Sequence, residues 1–401
     1  MSFMVSLWAI WNGWATFFLF LIAWVTISNP ATMYDFANLY AEGKWWLSGI
    51  SPGAHVLSYP YAYPPSSLPF FGLFAQFSYG FAAQLWTAMS LGVFIVALLS
   101  TAVTLKVNRR YLFVSIAALL FFTSYALRAE LQLGQINLFL EGLTVLSLVA
   151  HRSEHSRVSA TLLAIGTLLK GSPVLFLLYF VVFYRDFRYL IHFLESTVAI
   201  LGLSLLVVPI QLYWIWMTNV FPTLFVSANL SINESLTGPI SLSGLGYLTP
   251  IVFAAGICLF VAFAYRLSPN ALSKLSAPQT LTADAMFLMN SLVLLLLGTR
   301  CWPQDYVWTI LPTALFLSTL LVENVKTSYA VAVGVAALLF NFDTYPPFMY
   351  YLGQYATLAA YVPRAQAIPT GLLGGLLMAP CLILLLIRPR VILLPNRLTR
   401  K

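Results

Sequence analysis

The chain has 401 residues, of which 60% are hydrophobic, 15% aromatic and only 8% charged, with a mean hydropathy of +0.87. That balance excludes a soluble domain, because too few polar residues remain to cover a water-facing surface. The formal charge of +8 would suggest a nucleic-acid partner in a soluble protein; in a membrane chain it reports basic cytoplasmic loops instead, and no nucleic acid is expected.

Apolar runs predict helices over 8–28, 85–105, 111–127, 135–150, 158–169, 173–184, 190–208, 249–267, 281–298, 305–322, 328–342 and 370–388. This is an all-α polytopic transmembrane bundle of about twelve helices, with both termini on one side. The first run is not expected to be a cleaved signal peptide, since no Lys or Arg precedes Lys44 and its apolar stretch is long. The pair 158–169 and 173–184 fits two readings, a short hairpin broken at LKGSP or one long kinked helix, because each half is shorter than the ~20 residues of a span. With the hairpin, every basic residue except Lys44, Arg128, Lys170, Arg300 and Arg364 falls on one side, which marks that side as cytoplasmic. The long connections 29–84, 209–248 and 343–369 then lie outside, and connections of such length usually carry function. We expect one integral membrane domain over 1–401, multi-pass in a cell inner membrane, with cytoplasmic termini and its site on the extracytoplasmic face. Helix and loop lengths show no internal repeat.

The first outer connection opens with MYDFANLYAEGKWWLSG. Phe36, Leu39, Tyr40 and Leu47 fall near one stripe at helical spacing, flanked by Trp45 and Trp46, which predicts an interfacial amphipathic helix. Asp35 stands where the N-cap of that helix would be. An acid at the edge of a water-filled cavity equally suits a general base for a hydroxyl. Pro64 and Pro65 then interrupt SYPYAYPPSSLPFF, where Tyr59, Tyr61 and Tyr63 are either interfacial aromatics or the lining of a sugar site.

Further on, LRAELQLGQINLFLEGL crowds Arg128, Glu130, Gln132, Gln135 and Asn137 at a helix end, with Glu141 one turn inside the apolar run. A carboxylate there is costly unless it faces a cavity or a partner. LLKGSP places Lys170 at the next break, and GTRCWPQDY places Arg300 and Asp305 at another. Arg128, Lys170 and Arg300 are cations on a face otherwise depleted of them. Either Arg300 pairs with Asp305, or the three converge on an anion such as phosphate.

Two motif signals are set aside, the second because it would matter only in a eukaryotic secretory membrane. HRSEH at 151–155 has the spacing of a zinc site but sits in a short turn with no third ligand. NLS and NES at 229–231 and 233–235 fit the glycosylation acceptor pattern. Cys258, Cys301 and Cys381 form no metal pattern. No metal site, nucleotide-binding loop or cofactor is expected.

The motifs DFANLYAEGKWWLSG, YPP, Leu85-Trp86, Arg128 with LGQIN, and LLKGSP, in that order, resemble glycosyltransferase family 87, within the polytopic GT-C class. NES near 233 and CWPQDY near 301 are weaker landmarks. The family often has Ser-Pro before that Trp and a His after it, where this chain has Arg300-Cys301 and Gln304-Asp305. The resemblance implies a GT-C bundle with interfacial helices in the first outer loop. It implies transfer of a hexose such as mannose from a polyprenyl-phosphate donor to a hydroxyl of a glycolipid or glycan, with inversion, at the bilayer. Asp35 resembles the catalytic acid of that class. Arg128, Lys170 and Arg300 would neutralise the donor phosphate. Glu42 would position the loop or the acceptor, and Tyr63, Gln135, Asn137 and Asp305 would contact substrate. A lipid or solute transporter, or flippase, is the rival reading; it predicts inverted repeats and broken midplane helices.

Overall fold

The computed structural model describes residues 33–49, 63–225, 235–267, 279–298, 301–323, 325–341, 370–387 and 392. The expected helix at 8–28, the connection 343–369, Tyr59, Tyr61, Asn229, Asn233 and Arg300 lie outside the described residues. Those described are helical, without a strand among them. The longer helices are α1 (Tyr34–Leu47), α2 (Leu68–Ala75), α3 (Tyr79–Thr104), α4 (Val107–Thr123), α5 (Tyr125–Leu133), α6 (Asn137–Arg152), α7 (Ser156–Lys170), α8 (Phe187–Leu205), α9 (Thr249–Arg266), α10 (Gln279–Leu297), α11 (Ile310–Val322), α12 (Thr327–Asn341) and α13 (Thr370–Ile387). Among the described residues, five helical stretches are long and apolar enough to cross a membrane, or six if α4 and α5 form one bent span. The protein is an all-α, multi-pass membrane protein.

Two expected elements change form. The helix expected over 111–127 is broken: α4 and α5 meet at 63°. Ser124 causes the break, because its Oγ accepts the Leu127 N–H at 3.0 Å and so caps a new helix start. In the segment 158–184, α7 ends at Lys170 and Gly171 takes φ +80°. A Cβ at Gly166 would lie 3.3 Å from Cγ of Pro173. In a continuous helix those residues stand about two turns apart, roughly 10 Å. The chain therefore folds back on α7, as the hairpin reading requires. Beyond the turn it is a tight helical run at Ser172–Phe176 and a wide one at Tyr179–Phe183.

The chain divides into two compact units, one of residues 1–106, 130–181 and 185–225, the other of 107–129, 182–184 and 226–401. In the first, small residues bring helices close, as is common where lipid gives no hydrophobic drive for helix association. Gly142 of α6 faces Val93 of α3. Ser147 and Ser159 bond each other's backbone carbonyls between α6 and α7, at 2.9 and 2.6 Å. Gly43 of α1 abuts the backbone of Phe71 in α2, where a Cβ would come within 2.7 Å.

The second unit is organised around a buried ion pair. Arg109 of α4 binds the fully buried Asp284 of α10. Thr319 of α11 donates to the same carboxylate at 2.6 Å, and Arg109 also reaches the Leu315 carbonyl at 3.3 Å. Arg109, expected in a connecting loop, is thus a helix-to-helix tie. Removing one partner strands the other charge, which typically costs about 3–5 kcal/mol, whereas removing both is far milder. Asp284→Ala should therefore lower the melting temperature in detergent strongly, and adding Arg109→Met should recover much of the loss. Equal melting temperatures for wild type and Asp284→Ala would show that the pair does not hold the unit together.

Candidate active site

The first unit collects most of the polar residues singled out above. Its base is an aromatic cluster that fixes the start of α1. Phe36 is buried and stacks on Trp86 at 5.7 Å between centroids, with Phe74 edge-on at 6.0 Å. The Trp86 Nε1–H donates to the Gly134 carbonyl at 3.0 Å. Gly134 takes φ +68°, and a Cβ there would lie 2.6 Å from Cβ of Phe36. Only glycine suits this turn, both for its left-handed backbone and for the space.

The turn carries Gln135 to Asp35. Gln135 Nε2–H donates to Asp35 Oδ2 at 2.5 Å, and the Tyr63 hydroxyl makes a long 3.5 Å contact with Gln135 Oε1. Asp35 is the second residue of α1, whose N-cap is Met33, so Asp35 is not the capping residue. It stands in the first turn, where an acidic side chain complements the helix dipole.

On the other side of Tyr63 stands Lys170. Its Nζ lies 6.0 Å from the Tyr63 ring centroid and donates to Asn137 Oδ1 at 2.5 Å. The Ser66 hydroxyl bonds the Leu168 carbonyl at 2.7 Å, which ties the Tyr63 segment to the end of α7. Asn137 Nδ2–H donates in turn to Glu130 Oε2 at 3.1 Å. Asp35, Tyr63, Gln135 and Lys170 are each half-buried, while Asn137 and Glu130 are fully buried beneath them. A small cavity lined by Trp86, Ser90, Glu130, Gly134 and Gln135 lies behind the turn. The arrangement places a partly accessible carboxylate and a partly accessible ammonium on one supported surface. Such a surface can accept a proton at one end and meet an anion at the other.

The remaining expected residues fall elsewhere. Glu42 is buried on α1, its Oε2 makes no hydrogen bond, and burial pushes its carboxyl up to about 7. Arg128 is exposed on α5 and belongs to the second unit. Asp305 is also in the second unit, where its Oδ2 accepts the Trp302 backbone N–H at 2.8 Å; it caps the helical turn Pro303–Thr309. Glu141 is buried on α6, one turn below Asn137. Among the described residues no cluster of His, Cys, Asp and Glu suits a metal ion.

The sequence model of glycosyltransferase family 87 matches residues 61–298. The chain belongs to glycosyltransferase family 87. It is a membrane glycosyltransferase. The polyprenol-phosphate-mannose-dependent alpha-(1-2)-phosphatidylinositol mannoside mannosyltransferase of Mycolicibacterium smegmatis is 26% identical over 317 residues, 72% of this chain and 70% of that protein. Within the family match lie Tyr63, Arg128, Gln135, Asn137 and Lys170, whereas Asp35 and Glu42 precede it and Arg300 and Asp305 follow it. The aromatic cluster and the Gly134 turn thus join the family region to the helix that carries Asp35.

Two measurements test this geometry. Gly134→Ala forces an alanine into left-handed backbone, at a cost of roughly 1–2 kcal/mol before the clash with Phe36. The variant should lose both melting temperature and transferase activity; unchanged values would mean that the turn does not hold the site. For Glu42, the folded chain retains a proton between 4.5 and about 7 that the unfolded chain releases. This contribution is complete below the unfolded value and is lost as pH rises through the folded one. Glu42→Gln should therefore lose less stability than wild type as pH rises across that window, by at most about 3 kcal/mol. Parallel melting curves for the two proteins would show that Glu42 is ionised in the fold.

Proposed function

We propose that the protein moves a hexosyl group, with mannose as the first candidate, from a polyprenyl-phosphate donor to a hydroxyl of a glycolipid or glycan acceptor. The observation that carries this reading is the single surface on which Asp35 and Lys170 stand, linked through Gln135, Tyr63 and Asn137. The family and the mannosyltransferase relative support the same chemistry.

In this reading Asp35 takes the proton of the acceptor hydroxyl. The acceptor oxygen attacks the anomeric carbon from the face opposite the phosphate, the carbon–oxygen bond to phosphate breaks, and the configuration inverts. The polyprenyl phosphate departs with the bonding electron pair. Lys170 neutralises the charge that grows on it, a term realised mainly as the bond breaks. The sequence also offers Arg128 and Arg300 as cations suited to phosphate. Fixed cations carry this charge, so the reading requires no metal or other cofactor. Tyr63 and Gln135 orient the sugar with Asn137 supporting them from beneath, and Glu42 and Asp305 are the sequence's further candidates for the acceptor. The donor reaches the site by lateral diffusion in the bilayer. The site faces the extracytoplasmic side of a cell inner membrane, the termini face the cytoplasm, and residues 1–401 form one catalytic domain.

The test is transfer from radiolabelled polyprenyl-phosphate mannose in membranes that contain matched amounts of each protein. Asp35→Asn should lower transfer by about 10²-fold or more, the usual range for loss of a general base. Lys170→Ala should raise the KM for the donor. Full transfer by Asp35→Asn would remove the base assignment while leaving the enzyme. Absence of transfer by wild type with mannose, glucose and arabinose donors alike would sink the polyprenyl-phosphate reading.

A further inference from the structure

Glu130 is a fully buried acid at the site, and no step above uses it. Its two carboxylate oxygens serve different donors: Oε2 takes the Asn137 amide at 3.1 Å and Oε1 takes the Leu138 backbone N–H at 2.9 Å. Its own carbonyl accepts the Gln135 N–H at 3.1 Å. One residue therefore touches both arms of the site, the Gln135 arm that reaches Asp35 and the Asn137 arm that reaches Lys170.

The chemistry of the Asn137 arm is directional. An ionised carboxylate only accepts hydrogen bonds and an ammonium only donates them, whereas an amide presents one acceptor and one donor end that a half-turn exchanges. Asn137 stands between Glu130 and Lys170. Only one orientation satisfies both neighbours, with Nδ2 toward the carboxylate and Oδ1 toward the ammonium, and that orientation is the one observed. The Asp35–Gln135–Tyr63 arm repeats the order carboxylate, amide, donor.

We propose that Glu130 is a positioning residue for the transfer reaction: its carboxylate sets the polarity of the Asn137 amide and thereby aims the Lys170 ammonium at the donor phosphate. This rests on the assignment of Lys170 to phosphate made above. A plain structural role, in which Glu130 only caps the first turn of α6 through Leu138, predicts a different response to substitution.

The experiment compares wild type, Glu130→Gln, Asn137→Asp and the double variant. In Glu130→Gln the new amide at position 130 turns a donor toward either Leu138 or Asn137. If Asn137 rotates to accept it, Nδ2 faces the ammonium. In Asn137→Asp two carboxylates meet at hydrogen-bond distance. In the double variant the new amide accepts from Leu138 and donates to the new carboxylate at position 137, whose other oxygen accepts from Lys170. Charge and direction are then both restored. Each single variant should raise the donor KM by roughly tenfold or more with a smaller effect on kcat, and the double should return to within about threefold of wild type, as coupled neighbours do in such cycles. Losses that simply multiply in the double variant, or a wild-type donor KM in Glu130→Gln, would overturn the proposal. The same four proteins are melted in detergent without donor. Recovery of melting temperature in the double variant supports the directional link even if wild type transfers none of the sugars tried, and additive losses refute it. A failure of the sugar-transfer reading is thereby separated from a failure of the link.

Discussion

The site depends on the short turn between α5 and α6, and the turn depends on how its polar groups are satisfied away from water. Glu130 accepts N–H bonds through both side-chain oxygens and its carbonyl, and Trp86 takes up the carbonyl of Gly134. Buried polar groups without partners are expensive, and a fully satisfied network is correspondingly rigid. The consequence is that Gln135 and Asn137, one residue to either side of Ile136, are held with their amides in defined directions. Each presents its amide N–H to a carboxylate, one at the surface and one in the interior.

Rigidity at this turn matters because the elements it joins come from separate parts of the chain. Asp35 and Gln135 are 100 residues apart, Lys170 and Asn137 are 33 apart, and Ser66 anchors the Tyr63 segment to the end of α7 across 102 residues. Aromatic packing of Phe36 against Trp86 and Phe74 supplies the apolar half of the support. The proposed transfer would need base and cation held in register while two substrates come and go, and preorganised groups stabilise developing charge without reorganising at the moment of reaction. A surface of half-buried groups over a fully buried foundation meets that requirement.

The second unit uses the same physics for a different end. Arg109, Asp284 and Thr319 join three helices through one carboxylate in an apolar setting. A lone charge there would be very costly, so the pair specifies which helices meet. Asp305 caps a helical turn in that unit. Among the described residues, some charged side chains tie helices together and others stand at the candidate site, and composition does not separate the two.

Much of this was legible in the residues. Hydropathy determined the class, because a chain with so few charges has no soluble solution. Apolar runs located most helices from α3 onward, but not α5, most of which falls between the runs 111–127 and 135–150. The density of polar residues in LRAELQLGQIN and the acids after the first run pointed to segments that the structure brings together, and the order of motifs identified the family. Local chemistry visible in retrospect includes Ser124, whose capping hydroxyl bends the helix expected over 111–127, and Gly134, whose place in LGQIN demands a left-handed turn. Three-dimensional packing alone decided that Asp35 meets Gln135 instead of capping its helix, that Arg109 is buried against Asp284, and that Glu130 stands beneath the site. The reason is physical. Helical periodicity says which residues share a face, but not which distant helix that face meets, and in an apolar medium a polar side chain takes its role from the partner it finds there.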